Sequence, residues 1–298
     1  MVFVNEALQL VELEKIYRNA VNVYKNCEDN EFSAEYKPRL PVPYPDEPIL
    51  CHATHVVSPN EFWLRPAEWE SFVVDIFSNE IDEFYQKNNC SLIPPDEKSL
   101  LVNGNAVVVI DSASLVASTS SDAARAYRAV VLSVGISDVF VRYVDFGESG
   151  FVQRNSGNIY ALAYPFAAVP PLCYPCCVKD VESKATCMTT WVREQFIRSL
   201  EDLDYEVMAS YLHCKEDTNM NAVAKSDGWS KSTETFKYVV VLHNPDTGEM
   251  MEVCYDQPLP LRKKSKRKNR RSKRKQKPPS SSESSCCDSD NDEVKLLL

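Results

Sequence analysis

The stretch 126-AYRAVVLSVGISDVFVRYVDFG-147 reads as two short strands and two turns. Tyr127–Val134 and Val139–Val144 are rich in valine and aromatics, and Val134-Gly-Ile-Ser-Asp138 turns the first strand into the second. In a continuous strand Tyr143 and Phe146 would point to opposite faces, because side chains alternate with a period of two. A turn beginning at Asp145-Phe-Gly147 lets both rings tilt toward Tyr127 on the neighbouring strand. Three aromatic faces around one hole suit a methylated ammonium or guanidinium, which the ring quadrupole attracts. The same three rings would serve equally well as the core of a small barrel. Spacing does not separate the two readings.

Working outward, Ala106–Ile110 is a further strand, joined to Tyr127 by a Ser-, Ala- and Asp-rich loop, Asp111–Ala124, and Phe151–Gln153 is another. Strands this short and this closely spaced predict a small antiparallel barrel. Upstream, Ile49–Val57 and Phe62–Arg65 flank the turn Ser58-Pro-Asn60, and Glu68–Lys87 carries a helical stripe of Trp69, Phe72, Val73, Ile76, Phe77, Ile81 and Phe84. Downstream, a helix over Thr189–Leu203 leads to strands at Glu206–Leu212, Phe236–His243 and Met250–Tyr255. Residues 5–27 form one more amphipathic helix, with Leu10, Leu13, Tyr17, Val21 and Tyr24 on one face. Five prolines between Pro38 and Pro48 then mark a stiff linker and a domain boundary. The segment from Ile159 to Val178 is uncharged and of membrane-span length, but four prolines would break a spanning helix, so it is expected to be a buried, irregular connection.

The net charge of -10 over 298 residues hides a division. Residues 262–277 hold 12 Lys or Arg and no acid, whereas residues 1–261 carry a net charge of -18. The acidic body favours cationic partners such as Arg-rich peptides. Non-specific RNA contact would fall to the basic arm 262–277, which could equally be a nuclear import signal. No apolar period survives beyond residue 261, so 262–298 is expected to be a disordered tail. The eleven cysteines, odd in number and irregular in spacing, fit a reducing compartment better than a disulfide framework.

Motifs for catalysis come out negative: there is no Gly-rich phosphate loop, no H-E-x-x-H and no Gly-x-Ser-x-Gly. His52, His55, His213 and His243 are too scattered for a triad. Cys173-Tyr-Pro-Cys176-Cys177 contains the C-x-x-C that thiolate zinc sites use, but no second pair at similar spacing accompanies it, so packing is the better account. The chain is expected to be no enzyme and to need no metal or cofactor.

The Tyr-Arg-Ala and Tyr-Val-Asp-Phe-Gly pattern resembles a Tudor domain. The flanks, His55-Val-Val-Ser-Pro-Asn-Glu-Phe-Trp63 and Val169-Pro-Pro-Leu-Cys-Tyr-Pro-Cys-Cys-Val178, are similar to the staphylococcal-nuclease-like halves of an extended Tudor domain. The resemblance covers residues 49–261 and implies a mainly β fold with helices. A Tudor SH3-like barrel (about 100–160) would be inserted in a staphylococcal-nuclease-like, OB-type barrel, with residues 1–48 as a helix and linker ahead of it. It implies a non-catalytic adaptor for arginine-containing, dimethylated peptides of an Argonaute/Piwi-class partner in small-RNA pathways. The setting would be a cytoplasmic, perinuclear ribonucleoprotein granule, with nuclear entry possible through 262–277, and no membrane. Tyr127, Tyr143 and Phe146 match aromatic-cage positions, and Arg128 with Asp145 would be a structural ion pair. Three positions depart from the family pattern. Asp111 stands where an aromatic is expected, Ala126 where a tryptophan is, and Glu148 where an asparagine meets the guanidinium. Each lost ring costs about 0.5–2 kcal/mol, roughly two- to thirtyfold in affinity. Acids at Asp111 and Glu148 attract arginine whether or not it is methylated, so reduced methyl selectivity is expected. The alternative is a scaffold with a vestigial cage, acting through its N-terminal helix and an RNA-tethering tail.

Overall fold

Around the turn between Ser58 and Glu61 the chain folds back into the hairpin β2 (Ile49–Ser58) and β3 (Glu61–Pro66). This hairpin begins a closed five-stranded barrel that is completed by β9 (Tyr174–Val178), β10 (Glu206–Glu216) and β11 (Phe236–His243), in the order β10-β11-β9-β3-β2. The pairing of β10 with β2 closes it. The computed structural model describes residues 3–26, 32–33, 48–87, 101–111, 125–181, 189–216 and 236–255. Most of the proline-rich linker, nearly all of the loop 111–124, Cys187 and the whole tail 262–298 lie outside the described residues. Among the described residues no helix is long and apolar enough to cross a membrane.

Between β3 and β9 the chain builds a second sheet from β4 (Ala106–Asp111), β5 (Arg125–Val134), β6 (Asp138–Tyr143), β7 (Ser149–Gln153) and β8 (Ile159–Ala163). Its order is β1-β8-β4-β5-β6-β7, where β1 is the two-residue strand Phe32–Ser33 paired with β8. The alternation of this sheet serves two cores. Val107, Val109, Tyr127, Ala129, Val131, Val139, Val141 and Tyr143 enclose the sheet's own interior. Ala106, Val108 and Ala126, on the opposite face, join the larger core shared with the barrel and the helices. Burial on both faces explains why β4 reads as an unbroken apolar run.

Helix α1 (Phe3–Asn26) inserts Leu13 and Tyr17 into that shared core and buries Ala20, and the Tyr17 hydroxyl donates to the Glu80 carboxylate. The expected helix over 68–87 exists but is irregular. A single 3-10 turn, Ala67–Trp69, precedes a π-helical stretch, Phe72–Phe77, and then α2 (Ser78–Lys87). The expected stripe is buried at Trp69, Phe72, Val73, Phe77 and Ile81, with Tyr85 added, and the wide turn leaves only Ile76 of it at the surface. The Ser78 hydroxyl donates to the Val73 carbonyl (2.7 Å), which supports the wide turn.

Two expectations need revising. The uncharged segment 159–178 is buried, but it is ordered as β8, the short helix α3 (Tyr164–Ala167) and β9 rather than an irregular connection. Pro165 sits in the first turn of α3, where its missing N–H costs nothing, whereas Pro175 lies within β9. Met250–Tyr255 is no strand: only Met250 bridges to His243, after a turn in which Asn244 Oδ1 accepts from the N–H groups of Asp246 and Thr247. The last helix, α4 (Thr190–Glu201), starts where Thr189 Oγ1 accepts from Val192 N–H (3.3 Å).

Candidate functional site

Beyond β6 the chain turns at Val144–Gly147, and the Tyr143 carbonyl accepts from the N–H groups of both Phe146 (3.2 Å) and Gly147 (2.8 Å). Gly147 has φ +88°, and a Cβ there would lie 2.2 Å from Trp63 Cγ. Only glycine meets both conditions, and its use lets the turn rest directly on the buried indole of β3. The three carbonyls of the turn are each claimed by a side chain of the other barrel or its connections. Cys173 Sγ donates to Val144 O (3.2 Å), Arg65 Nη1 to Asp145 O (3.3 Å), and Thr54 Oγ1 to Phe146 O (2.7 Å).

Arg128 and Asp145 form a fully enclosed pair beneath the turn. Arg128 Nε donates to Asp145 Oδ2 (2.8 Å) and Nη2 to Oδ1, while Leu172 N–H also donates to Oδ1 (3.0 Å). Arg128 Nη1 reaches the carbonyls of Phe166 (2.7 Å) and Val169 (2.6 Å), and Nη2 reaches Pro170 O (3.1 Å). These contacts use all five guanidinium donors, and the guanidinium carbon lies 4.6 Å from the Phe77 ring centroid. A buried charge satisfied this completely ties β5, the 145–147 turn and the 166–172 connection together.

The structure brings Tyr127, Tyr143 and Phe146 together. Tyr127 meets Tyr143 at 5.6 Å between centroids and Phe146 at 5.8 Å, edge to face in both cases. The cluster is closed: the three residues are only 4%, 2% and 6% exposed and pack among the valines of the sheet interior. The Arg65 guanidinium lies 5.5 Å from the Phe146 centroid. A cation can reach the space between the rings only if a ring or the adjoining chain moves. Glu148 is half-buried just past the turn, its carbonyl accepting from Tyr143 N–H (2.8 Å). Asp111 ends β4 opposite Arg125, two residues from Val109, which pairs with Tyr127, and its side chain lies outside the described atoms. Thr54 and Arg65 escaped the sequence reading, because nothing local marks a residue that will meet a turn eighty or more positions away.

On the outer side of the turn, Arg142 lies over the Trp63 ring (5.3 Å) and His55 packs against it (5.4 Å). Burial pushes the His55 pKa down and Arg142 adds to the effect, with Glu61 opposing it. The thiols of Cys173, Cys176 and Cys177 are buried and directed at backbone carbonyls, and burial raises the Cys176 pKa. Among the described residues no group of three or more His, Cys, Asp or Glu is placed to hold a metal ion.

No protein-family model matches the chain. No curated protein matches it either. Solved structures do. The extended Tudor domain from BmPAPI superposes with a TM-score of 0.50 at 16% identity, covering 69% of this chain and 93% of that one. Domain TD3 of mouse TDRD1, in complex with a MILI peptide containing dimethylarginine, gives 0.49 at 16% identity, covering 73% and 91%. The Drosophila melanogaster Papi extended Tudor domain, in complex with a Piwi N-terminal peptide, gives 0.48 at 15% identity, covering 70% and 94%. Identities this low speak for the fold alone. In architecture the chain has the fold of the extended Tudor domains, with a second β-sheet inserted between β3 and β9 of a closed five-stranded barrel.

Proposed function

We propose that the chain is a non-catalytic adaptor that binds an arginine-containing, dimethylated peptide through its Tudor half. The observation that carries this is the convergence of Tyr127, Tyr143 and Phe146 at the 145–147 turn, with the half-buried Glu148 next along the chain. The solved extended Tudor domains of mouse TDRD1 and Drosophila Papi, which were captured with MILI and Piwi peptides, support it. Binding couples to opening, since the rings are closed on one another without ligand. Glu148 adds attraction that does not depend on methylation, so selectivity between methylated and bare arginine is modest. A partner of the Argonaute/Piwi class and a cytoplasmic ribonucleoprotein granule as the setting belong to the same proposal.

Calorimetric titration of the full chain with paired dimethylarginine and unmodified peptides tests it. Phe146→Leu keeps most of the volume and removes the ring, so affinity for both peptides should fall about two- to thirtyfold. The melting temperature should move little. Absence of binding by either peptide, or unchanged affinity in the variant, would overturn the reading. In that case the near-complete burial of the rings favours the second reading, a vestigial cage whose aromatics serve only as core.

A further inference from the structure

Strand β7 is a terminal strand of the second sheet, and among the described residues it pairs with β6 alone. Its hydrogen-bonding pattern can be counted in from both ends. Arg154 N–H donates to Ser137 O (2.8 Å), and Tyr143 N–H donates to Glu148 O (2.8 Å). With Phe140 opposite Phe151 and antiparallel pairs alternating, Val152 and Gly150 bond to β6. The N–H and C=O groups of Ser149, Phe151 and Gln153 therefore point away from it, the Gln153 carbonyl accepting from Ser156 N–H (3.2 Å) and Oγ (2.8 Å) in the following turn. The Phe151 side chain is 76% exposed and packs on Phe140, at 4.7 Å between centroids. The strand, Ser149-Gly-Phe-Val-Gln153, has no charge and no proline, so the usual guards of an open edge are missing.

We infer that β7 is a self-association edge on which a second copy of this chain pairs its own β7, antiparallel, about a twofold axis beside Phe151. The register follows from the backbone. Only pairing Phe151 with Phe151 of the second copy sets all three outward-facing residues against outward-facing residues, Ser149 meeting Gln153 on either side. That same register places Glu148 opposite Arg154 of the second copy, twice over by symmetry. Residues 1–261 are strongly acidic, so two copies repel almost everywhere else. A neutral edge bracketed by one acid and one base is where they can approach. The pairing would also continue the Phe140–Phe151 contact into a four-ring ladder across the twofold. This inference does not depend on arginine-peptide binding.

Sedimentation equilibrium of the full chain from micromolar to millimolar concentrations tests it. A monomer–dimer equilibrium is expected, weakened at least tenfold by Phe151→Lys, a substitution at a surface position that leaves the fold intact by circular dichroism. Glu148→Arg and Arg154→Glu should each weaken dimerisation by setting like charges opposite one another. The double variant Glu148→Arg/Arg154→Glu should restore it. A monomer at every concentration, a dimer indifferent to Phe151→Lys, or a natively folded double variant that stays monomeric would each overturn the proposal.

Discussion

Asp145 carries more of the architecture than its size suggests. Its carboxylate receives Arg128 and the Leu172 N–H, while its carbonyl receives Arg65. Removing it leaves the Arg128 guanidinium enclosed without a counter-charge, the costly case for a buried pair. Asp145→Ala should lower unfolding free energy by about 3–5 kcal/mol, measured as a shifted denaturation midpoint in urea. Replacing both partners by apolar residues should cost less than the single change, because no charge is then stranded. The motif Tyr-Arg-Ala with Asp-Phe-Gly was legible in the sequence as a pattern. Its further partners, the carbonyls of Phe166, Val169 and Pro170, were not, because a backbone acceptor leaves no trace in residue identity.

Among the elements, α1 shows how an amphipathic period translates into packing. Leu13 is 0% exposed and Tyr17 4%, both within the core that includes Phe72, Phe77 and Phe166, whereas Val11 on the same helix is 60% exposed. Leu13→Ala should cost about 2–5 kcal/mol, the range for emptying a fully buried leucine site. Val11→Ala should stay within about 0.5 kcal/mol. Comparing the two by chemical denaturation of the full chain checks whether α1 belongs to the cooperative unit, since a loosely docked helix would give two small effects. Periodicity marked this helix and most strands. It marked the stripe after Phe72 correctly at Val73, Phe77 and Ile81 and failed only at Ile76, where a π turn inserts an extra residue that no 3.6-residue template anticipates. It also missed β8 and β9, whose burial on all sides erases the alternation by which strands are recognised.

Across the whole molecule, the second sheet meets the barrel where Gly147 lies on Trp63. Gly104 offers an internal control, since its φ of +87° is nearly the same but nothing stands within 4 Å of a Cβ built there. Gly104→Ala should therefore cost only the conformational penalty, about 1–2 kcal/mol. Gly147→Ala should cost roughly 1–3 kcal/mol more, from driving the methyl into the indole, and should loosen the junction. Equal melting temperatures for the two variants would show that the sheet and the barrel separate freely at this contact. The sequence by itself determined the strands and helices with a clear period, the Tyr-Arg-Ala and Asp-Phe-Gly pattern, and hence the expectation of an extended Tudor fold. These are local signals, written in residues a few positions apart. Only the tertiary structure decided that Tyr127, Tyr143 and Phe146 close upon one another and that three turn carbonyls are held by Thr54, Arg65 and Cys173. The left-open edge at Phe151 was likewise its decision. Exposure and partnership depend on which distant segments cover a residue, and a one-dimensional pattern records how a face alternates but not what comes to lie against it.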